Sequence, residues 1–293
     1  MLPWWYAIIV LQFWPMDAPA DLWDYDQPAR WNYTFPLCDG PLQSPIALTH
    51  HRVVFSLPPK VVGAAGLAQG QVVATNTGRR LELRLRPANR SAPAIQLVSY
   101  KKPLFGVYNL EEVQFHWGDG KGTTGSEHSI GGKFFEAEAQ FVFYNNFYGR
   151  IQKAKRQAGG VAVVSIMLRS SEKLVEPGFP TFGLENWLDQ LSARDSRLTF
   201  PADLTPVQRL LSGALTKVYA YYGSFTSPPC NPVVTWLVSA AETDISARFL
   251  NGLVTKMFQD RAMTLPLVNN WRPLQLQTGR LVTKLQTIGG GVR

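Results

Sequence analysis

Two short stretches of this chain carry its most chemically suggestive side chains. Glu111-Glu112-Val113-Gln114-Phe115-His116-Trp117-Gly118 and Glu136-Ala137-Glu138-Ala139-Gln140-Phe141-Val142-Phe143 both alternate polar and apolar residues. Alternation with a period of two marks a half-buried strand. Successive strand side chains point to opposite faces, so Glu112, Gln114 and His116 share one face, as do Glu138 and Gln140. The segment between the two is rich in Gly, Thr and Ser and contains Gly125-Ser126-Glu127-His128. It reads as a loop that lets the strands lie antiparallel, so that Gln114, His116 and Gln140 converge. The chemistry open to such a group is metal ligation, by His116 with Glu112 or Glu138. Against it stands the donor set. Amide oxygens are poor, neutral ligands for zinc, whose catalytic sites are built from imidazole, thiolate and carboxylate. The chain has four histidines: His50 and His51 lie far upstream, and His128 is joined to Glu127. A lone strand histidine is ordinarily a satisfied core or pocket residue.

The same residues resemble the centre of the α-type carbonic anhydrases. That family has His-x-His-Trp-Gly on one strand, Gly-Ser-Glu-His in the next loop and Glu-x-His on the neighbouring strand. Three histidines hold a catalytic zinc. Gln114, His116 and Gln140 stand at the three ligand positions, so the resemblance implies the frame of a metal site in which two ligands are missing. Glu138 matches a residue that buttresses a ligand histidine by hydrogen bonding. Thr226 and Glu127 match the threonine that orients zinc-bound hydroxide and the glutamate that accepts its hydrogen bond. Without the ion they become a vestigial pair with a structural role, the buried hydroxyl satisfied by the buried carboxylate. Arg79, in Asn76-Thr77-Gly78-Arg79, stands where the family often has a proton-shuttling histidine, and a guanidinium does not titrate near neutrality. Val142, Val163, Ser227 and Trp236 match pocket positions. Phe225 replaces a usual leucine there and narrows the pocket.

Other segments extend the resemblance from about Trp23 to Leu285. They include Trp23-Asp24-Tyr25 with Trp31, Gln43-Ser44-Pro45-Ile46, Gly160-Val161-Ala162-Val163, Tyr222 to Cys230, and Asn269 to Gln275. The implied fold is mostly β, a large twisted and mainly antiparallel sheet with short surface helices. The residues agree with it. Val72 to Thr75, Leu81 to Leu85 and Val233 to Val238 read as strands, and the apolar run Gly160 to Leu168 reads as a central one. Leu184 to Leu191 has helical spacing. Residues 244–258 read as the clearest helix, with Asp244 as its N-cap.

The 293 residues contain 45% hydrophobic and 17% charged side chains, 24 glycines and 21 prolines. This suits one sizeable domain with many turns, placed at 21–293. The net charge of +8 is spread over Arg79, Arg80, Arg84, Arg86, Arg90, Lys101, Lys102 and the run from Arg150 to Arg156. No nucleic-acid-binding signature accompanies it. Its expected partner is an acidic polysaccharide or a protein, unless the surface is merely soluble and basic.

Residues 1–20 fit a secretory signal ending in Ala18-Pro19-Ala20, with an uncleaved anchor as the alternative. The apolar run is short for a membrane span, which needs about 20 residues. Secreted relatives of the resembled family bridge the two segments that hold Cys38 and Cys230, so that disulfide is implied. Asn32-Tyr33-Thr34 and Asn89-Arg90-Ser91 are glycosylation sequons. Together these features predict a secreted, catalytically silent relative of the carbonic anhydrases, without a cofactor, acting as a binding or structural module. The competing expectations are a zinc-dependent carbonate dehydratase with an altered metal site and an extracellular matrix component.

Overall fold

The computed structural model describes residues 22–89, 92–122, 124–173, 178–277 and 279–286. The leader expected at 1–20, and Arg90 and Ser91 of the second sequon, lie outside them. The strands in chain order are β1 (Ala47–Leu48), β2 (Arg52–Phe55), β3 (Lys60–Gly63), β4 (Gly70–Asn76), β5 (Leu81–Arg86), β6 (Ile95–Lys101), β7 (Leu104–Trp117), β8 (Ser129–Ile130), β9 (Ala137–Asn145), β10 (Val161–Ser171), β11 (Arg197–Ala202), β12 (Lys217–Gly223), β13 (Val234–Ser246) and β14 (Thr283–Gln286). The helices are α1 (Trp31–Thr34), α2 (Ile151–Ala154), α3 (Thr205–Ala214) and α4 (Ala247–Lys256).

Twelve strands form one sheet in the order β11-β4-β5-β7-β9-β10-β13-β12-β14-β2, with β6 added to β7 and β3 to β6. Pairing is antiparallel except at β10–β13 and β14–β2, as the mostly β, mainly antiparallel expectation has it. The apolar run at Val161 lies at the centre between β9 and β13, which is why it shows no alternation. One face of the sheet buries the larger core, with Val113, Phe115, Trp117, Phe141 and Phe249 in it. The other face buries a smaller cluster that includes Val142, Val163, Tyr221 and Trp236.

Two helix expectations are corrected. Asp244 is not an N-cap. It is still within β13 and meets the Arg169 guanidinium at 3.0 Å. The helix begins at Ala247, capped by Ser246, whose Oγ accepts from the Phe249 amide. The strand hydrogen bonds of β13 extend two residues past the aspartate, so the serine satisfies the first free amides of the helix. Leu184 to Leu191 forms two single 3₁₀ turns, Leu184–Asn186 and Leu188–Leu191, interrupted at Trp187.

Cys38 and Cys230 are joined across 192 residues of sequence, with their Cα atoms 5.0 Å apart. Trp31 and Phe35 pack on the bridge. In the chain-entropy view, closing so long a loop is worth on the order of 5 kcal/mol.

Candidate functional site

A bulge sets the phase of the site. β7 pairs with β9 through Leu110↔Phe143, then skips Glu111 and resumes at Glu112↔Val142. Before the skip, Tyr108 and Leu110 face the larger core; after it, Val113, Phe115 and Trp117 do. The extra residue reverses which parity points inward. Without it, Glu112, Gln114 and His116 would fall on the same face as Leu110. With it, they point to the opposite side, where Gln114 lies across from Gln140 and His116 across from Glu138. All five side chains are buried.

Glu138 is the most heavily bonded group there. Its Oε2 accepts the backbone amides of Glu127 and His128, both at 2.9 Å. Its Oε1 accepts from His128 Nδ1 (2.9 Å), Gln140 Nε2 (2.9 Å) and Ser165 Oγ (2.7 Å). Burial by itself raises a carboxyl pKa, but the adjacent His128 and these hydrogen bonds outweigh it and hold Glu138 at about 2. His128 Nε2 shares a 2.7 Å hydrogen bond with the Tyr221 hydroxyl, whose oxygen also lies in hydrogen-bond contact with Ser44 Oγ at 3.0 Å.

Gln140 ties this group to Glu127. Its nitrogen donates to Glu127 Oε2 at 2.8 Å as well as to Glu138. Carboxylate oxygens accept, so both amide protons are spent on them. The other Glu127 oxygen accepts the Arg272 backbone amide at 2.9 Å. Thr226 is buried, but no bond from it to Glu127 is found among the described residues, where Gln140 and Arg272 are the donors to that carboxylate. Gln114 is spent similarly, its nitrogen donating to Glu112 Oε1 at 2.7 Å.

His116 differs from its neighbours. Its Nδ1 lies 2.7 Å from the Asn270 carbonyl oxygen. A carbonyl only accepts, so Nδ1 carries a proton. The Nε2 atom is buried with no protein partner. The Tyr25 ring stands edge-on to the imidazole, with centroids 6.5 Å apart, and its buried hydroxyl is also unpartnered.

The residues do not fit a zinc ion. Of the three positions, one supplies an imidazole. The other two supply amides whose nitrogens are fixed on carboxylates. The alternative set of His116 with Glu112 or Glu138 fares no better, because Glu112 is held by Gln114 and by Arg84 at 3.2 Å, and Glu138 by five donors. No three His, Cys, Asp or Glu side chains gather at metal-holding distance among the described residues.

Charged and aromatic side chains close over this face. Arg80 Nε donates to Glu82 Oε1 at 2.9 Å, and its Nη1 is 3.5 Å from Ser227 Oγ. Burial opposes the Arg80 charge, but Glu82 and Glu112 hold its pKa above the usual arginine value. Burial, reinforced by Glu112, pushes the Glu82 carboxyl up. Arg79 stacks on Trp23, with its guanidinium carbon 4.4 Å from the ring centroid, and donates through Nε (3.0 Å) and Nη2 to the Trp23 carbonyl. Trp23, Tyr25 and Trp31 pack edge-to-face on one another. Val142, Val163 and Trp236 lie in the smaller core cluster with Phe225 against them, and Lys155 lies 5.5 Å from the Phe225 ring centroid.

Of the basic residues from Arg79 to Arg86, Arg79 and Arg80 are half-buried while Arg84 and Arg86 are exposed. Arg79 and Arg80 serve the site, and Arg84 pairs with Glu111 and Glu112. Arg150, Lys153 and Arg156 are exposed. Asn32 is half-buried in α1, and Asn89 is exposed after β5.

Sequence reading missed Arg80, Asn270 and Arg272 as site residues. Arg80 was accessible through the alternation of β5, whose Leu81, Leu83 and Leu85 face inward and leave Arg80, Glu82 and Arg84 for the other side. Asn270 accepts the Trp117 amide through Oδ1 at 2.7 Å and donates to the Phe115 and Arg79 carbonyls. Arg272 spans Gln43 Oε1, Ser44 O and Cys38 O, and burial lowers its pKa to about 10 against the pull of Glu127. Nothing local in the sequence announces these roles.

The Glu138 network predicts an acid sensitivity. A carboxyl lowered from 4.5 to about 2 contributes stability fully present above pH 4.5 and lost as pH falls toward 2. The amount is on the order of 3 kcal/mol. Urea unfolding of the wild type should show this loss between pH 4.5 and 2, and Glu138→Gln should lack that component. Parallel profiles for the two proteins would refute it.

The family model for eukaryotic-type carbonic anhydrase matches residues 26–286. Carbonic anhydrase 15 of Mus musculus is 30% identical over 292 residues, covering 94% of this chain and 87% of that protein. Carbonic anhydrase 12 of Homo sapiens is 28% identical over 278 residues, covering 92% and 74% respectively. Carbonic anhydrase 7 of Mus musculus is 28% identical over 270 residues, covering 89% and 96%.

Proposed function

This chain belongs to the eukaryotic-type carbonic anhydrase family, and from that premise we propose that it is a catalytically silent member that works as a binding or structural module. The observation that carries the reading is Gln140. At a position where the family places a zinc-binding imidazole, it donates both amide protons to Glu127 and Glu138. The polar groups that would serve an ion are thereby converted into an internal brace. Zinc in this family makes hydroxide at neutral pH by lowering the pKa of bound water, which needs neutral imidazoles and an open position. One imidazole and two committed amides do not supply that. The disulfide supports passage through an oxidising compartment, since such bridges persist in exported proteins.

The test is elemental analysis of protein purified without a histidine tag, beside stopped-flow measurement of carbon dioxide hydration. We expect zinc well below one per chain and hydration at the buffer rate. About one zinc per chain, removed by a chelator together with hydration activity, would overturn the proposal.

A further inference from the structure

A concavity borders the network described above through Tyr221 but does not include the three former ligand positions. It has a volume of about 680 Å³, and Gln114, His116, Gln140 and Thr226 are not among its lining residues. That volume falls within the range of about 300–1,000 Å³ typical of small-molecule sites. Its walls are apolar, formed by Val54 of β2, Ala220 of β12, Val234 of β13 and Leu285 of β14, with Val233 just before β13 and Leu281 just before β14. The tip of the β6–β7 hairpin, Lys102-Pro103, closes one side and is held there by the Tyr222 hydroxyl, which donates to the Pro103 carbonyl at 2.9 Å. Leu42, Lys102 and Leu281 are exposed and mark the rim.

The charges of this cavity all have one sign. Lys102 and Arg280 line it, and no Asp or Glu does. Lys102 forms no ion pair among the described residues. Arg280 is half-buried, and its donors go to neutral carbonyls: Nε to Gln277 (2.9 Å), Nη2 to Leu276 (2.7 Å) and Nη1 to Tyr222 (3.3 Å). Burial lowers its pKa, and no carboxylate counters the effect. A partly desolvated cation without a counter-ion is costly unless an anion meets it. An apolar chamber beside such a cation suits a ligand with an apolar body and a negative head.

We propose that this cavity binds an amphipathic monocarboxylate, its unbranched tail along Val54, Val233 and Leu285 and its head against Lys102 and Arg280. The proposal is independent of the silent metal position and stands whether or not the protein holds zinc.

Calorimetric titration of the full chain with dodecanoate tests it. We expect saturable binding at one molecule per chain. Dodecanol, which has the tail without the charge, should bind about tenfold more weakly or worse, the scale of one hydrogen bond to a charged group. Lys102→Glu should weaken dodecanoate by at least the same factor. Ala158→Trp, at an exposed turn position on the cavity wall outside the sheet, should abolish binding with an unchanged Tm. Absence of saturable binding, uptake of several molecules per chain, equal affinity for the alcohol, or full binding by Lys102→Glu would each overturn the assignment.

Discussion

Gln140→Leu should destabilise this protein by about 2–3 kcal/mol, the scale of losing hydrogen bonds to buried charged groups. Leucine matches glutamine in bulk, so the variant tests hydrogen bonding rather than cavity formation. Two carboxylate oxygens, Glu127 Oε2 and Glu138 Oε1, lose a shared donor in a fully buried setting. Glu138 retains four other donors, and Glu127 retains the Arg272 amide. The greater loss therefore falls on Glu127, whose Oε2 has no second partner among the described residues. Gln140→His should be milder, because Nδ1 can still reach one of the two carboxylates. The measurement is equilibrium urea unfolding of the three proteins. A loss below about 1 kcal/mol in the leucine variant, within the range of an ordinary neutral hydrogen bond, would show that the amide is not a brace.

Gln114→His combined with Gln140→His should convert the protein into one that binds about one zinc per chain, the stoichiometry of a three-imidazole site. Much of the frame is already present. His116 is held by the Asn270 carbonyl with its Nε2 buried and unpartnered, and Glu138 stands ready to orient a histidine at position 140. Replacing Gln140 also removes the donor that now bonds Glu127 Oε2. Gln114→His alone supplies two imidazoles from one strand and should bind far more weakly. The metal-free double variant should be less stable than the wild type and should recover stability as zinc is added, because an ion that binds only the folded chain stabilises it. Carbon dioxide hydration should become measurable but remain low, since Arg80 lies across the face between Glu82 and Ser227. Adding Arg80→Ala should raise activity without changing metal content. A double variant that folds and still takes up no zinc would refute the view that the two glutamines are what keep the ion out.

Glu112, Gln114 and His116 on one strand face, with Glu138 and Gln140 on the next, followed from side-chain alternation alone. So did the central place of the apolar run at Val161, because a strand covered on both faces has no polar side. The matching segments carried the sheet class and the pairing of Cys38 with Cys230. These properties are local, or are repeated through the whole family, and a linear reading reaches them.

The tertiary structure decided the rest. Alternation says which residues share a face but not which face is buried, and the bulge at Glu111 settled that by reversing the phase within β7. It also does not name the partner across space. Gln140 bridges two glutamates because a loop brings Glu127 beside Glu138, and His116 is held through Nδ1 by the carbonyl of Asn270, 154 residues away in sequence. Arg80 counts only as one of many basic residues in the sequence, whereas in the fold Glu82 holds it. Asp244 looked like a helix cap until the hydrogen bonds of β13 carried the strand past it to Ser246. In each case the residue type was plain in the sequence, and its role depended on which buried donor or acceptor the fold placed within about 3 Å, the reach of a hydrogen bond.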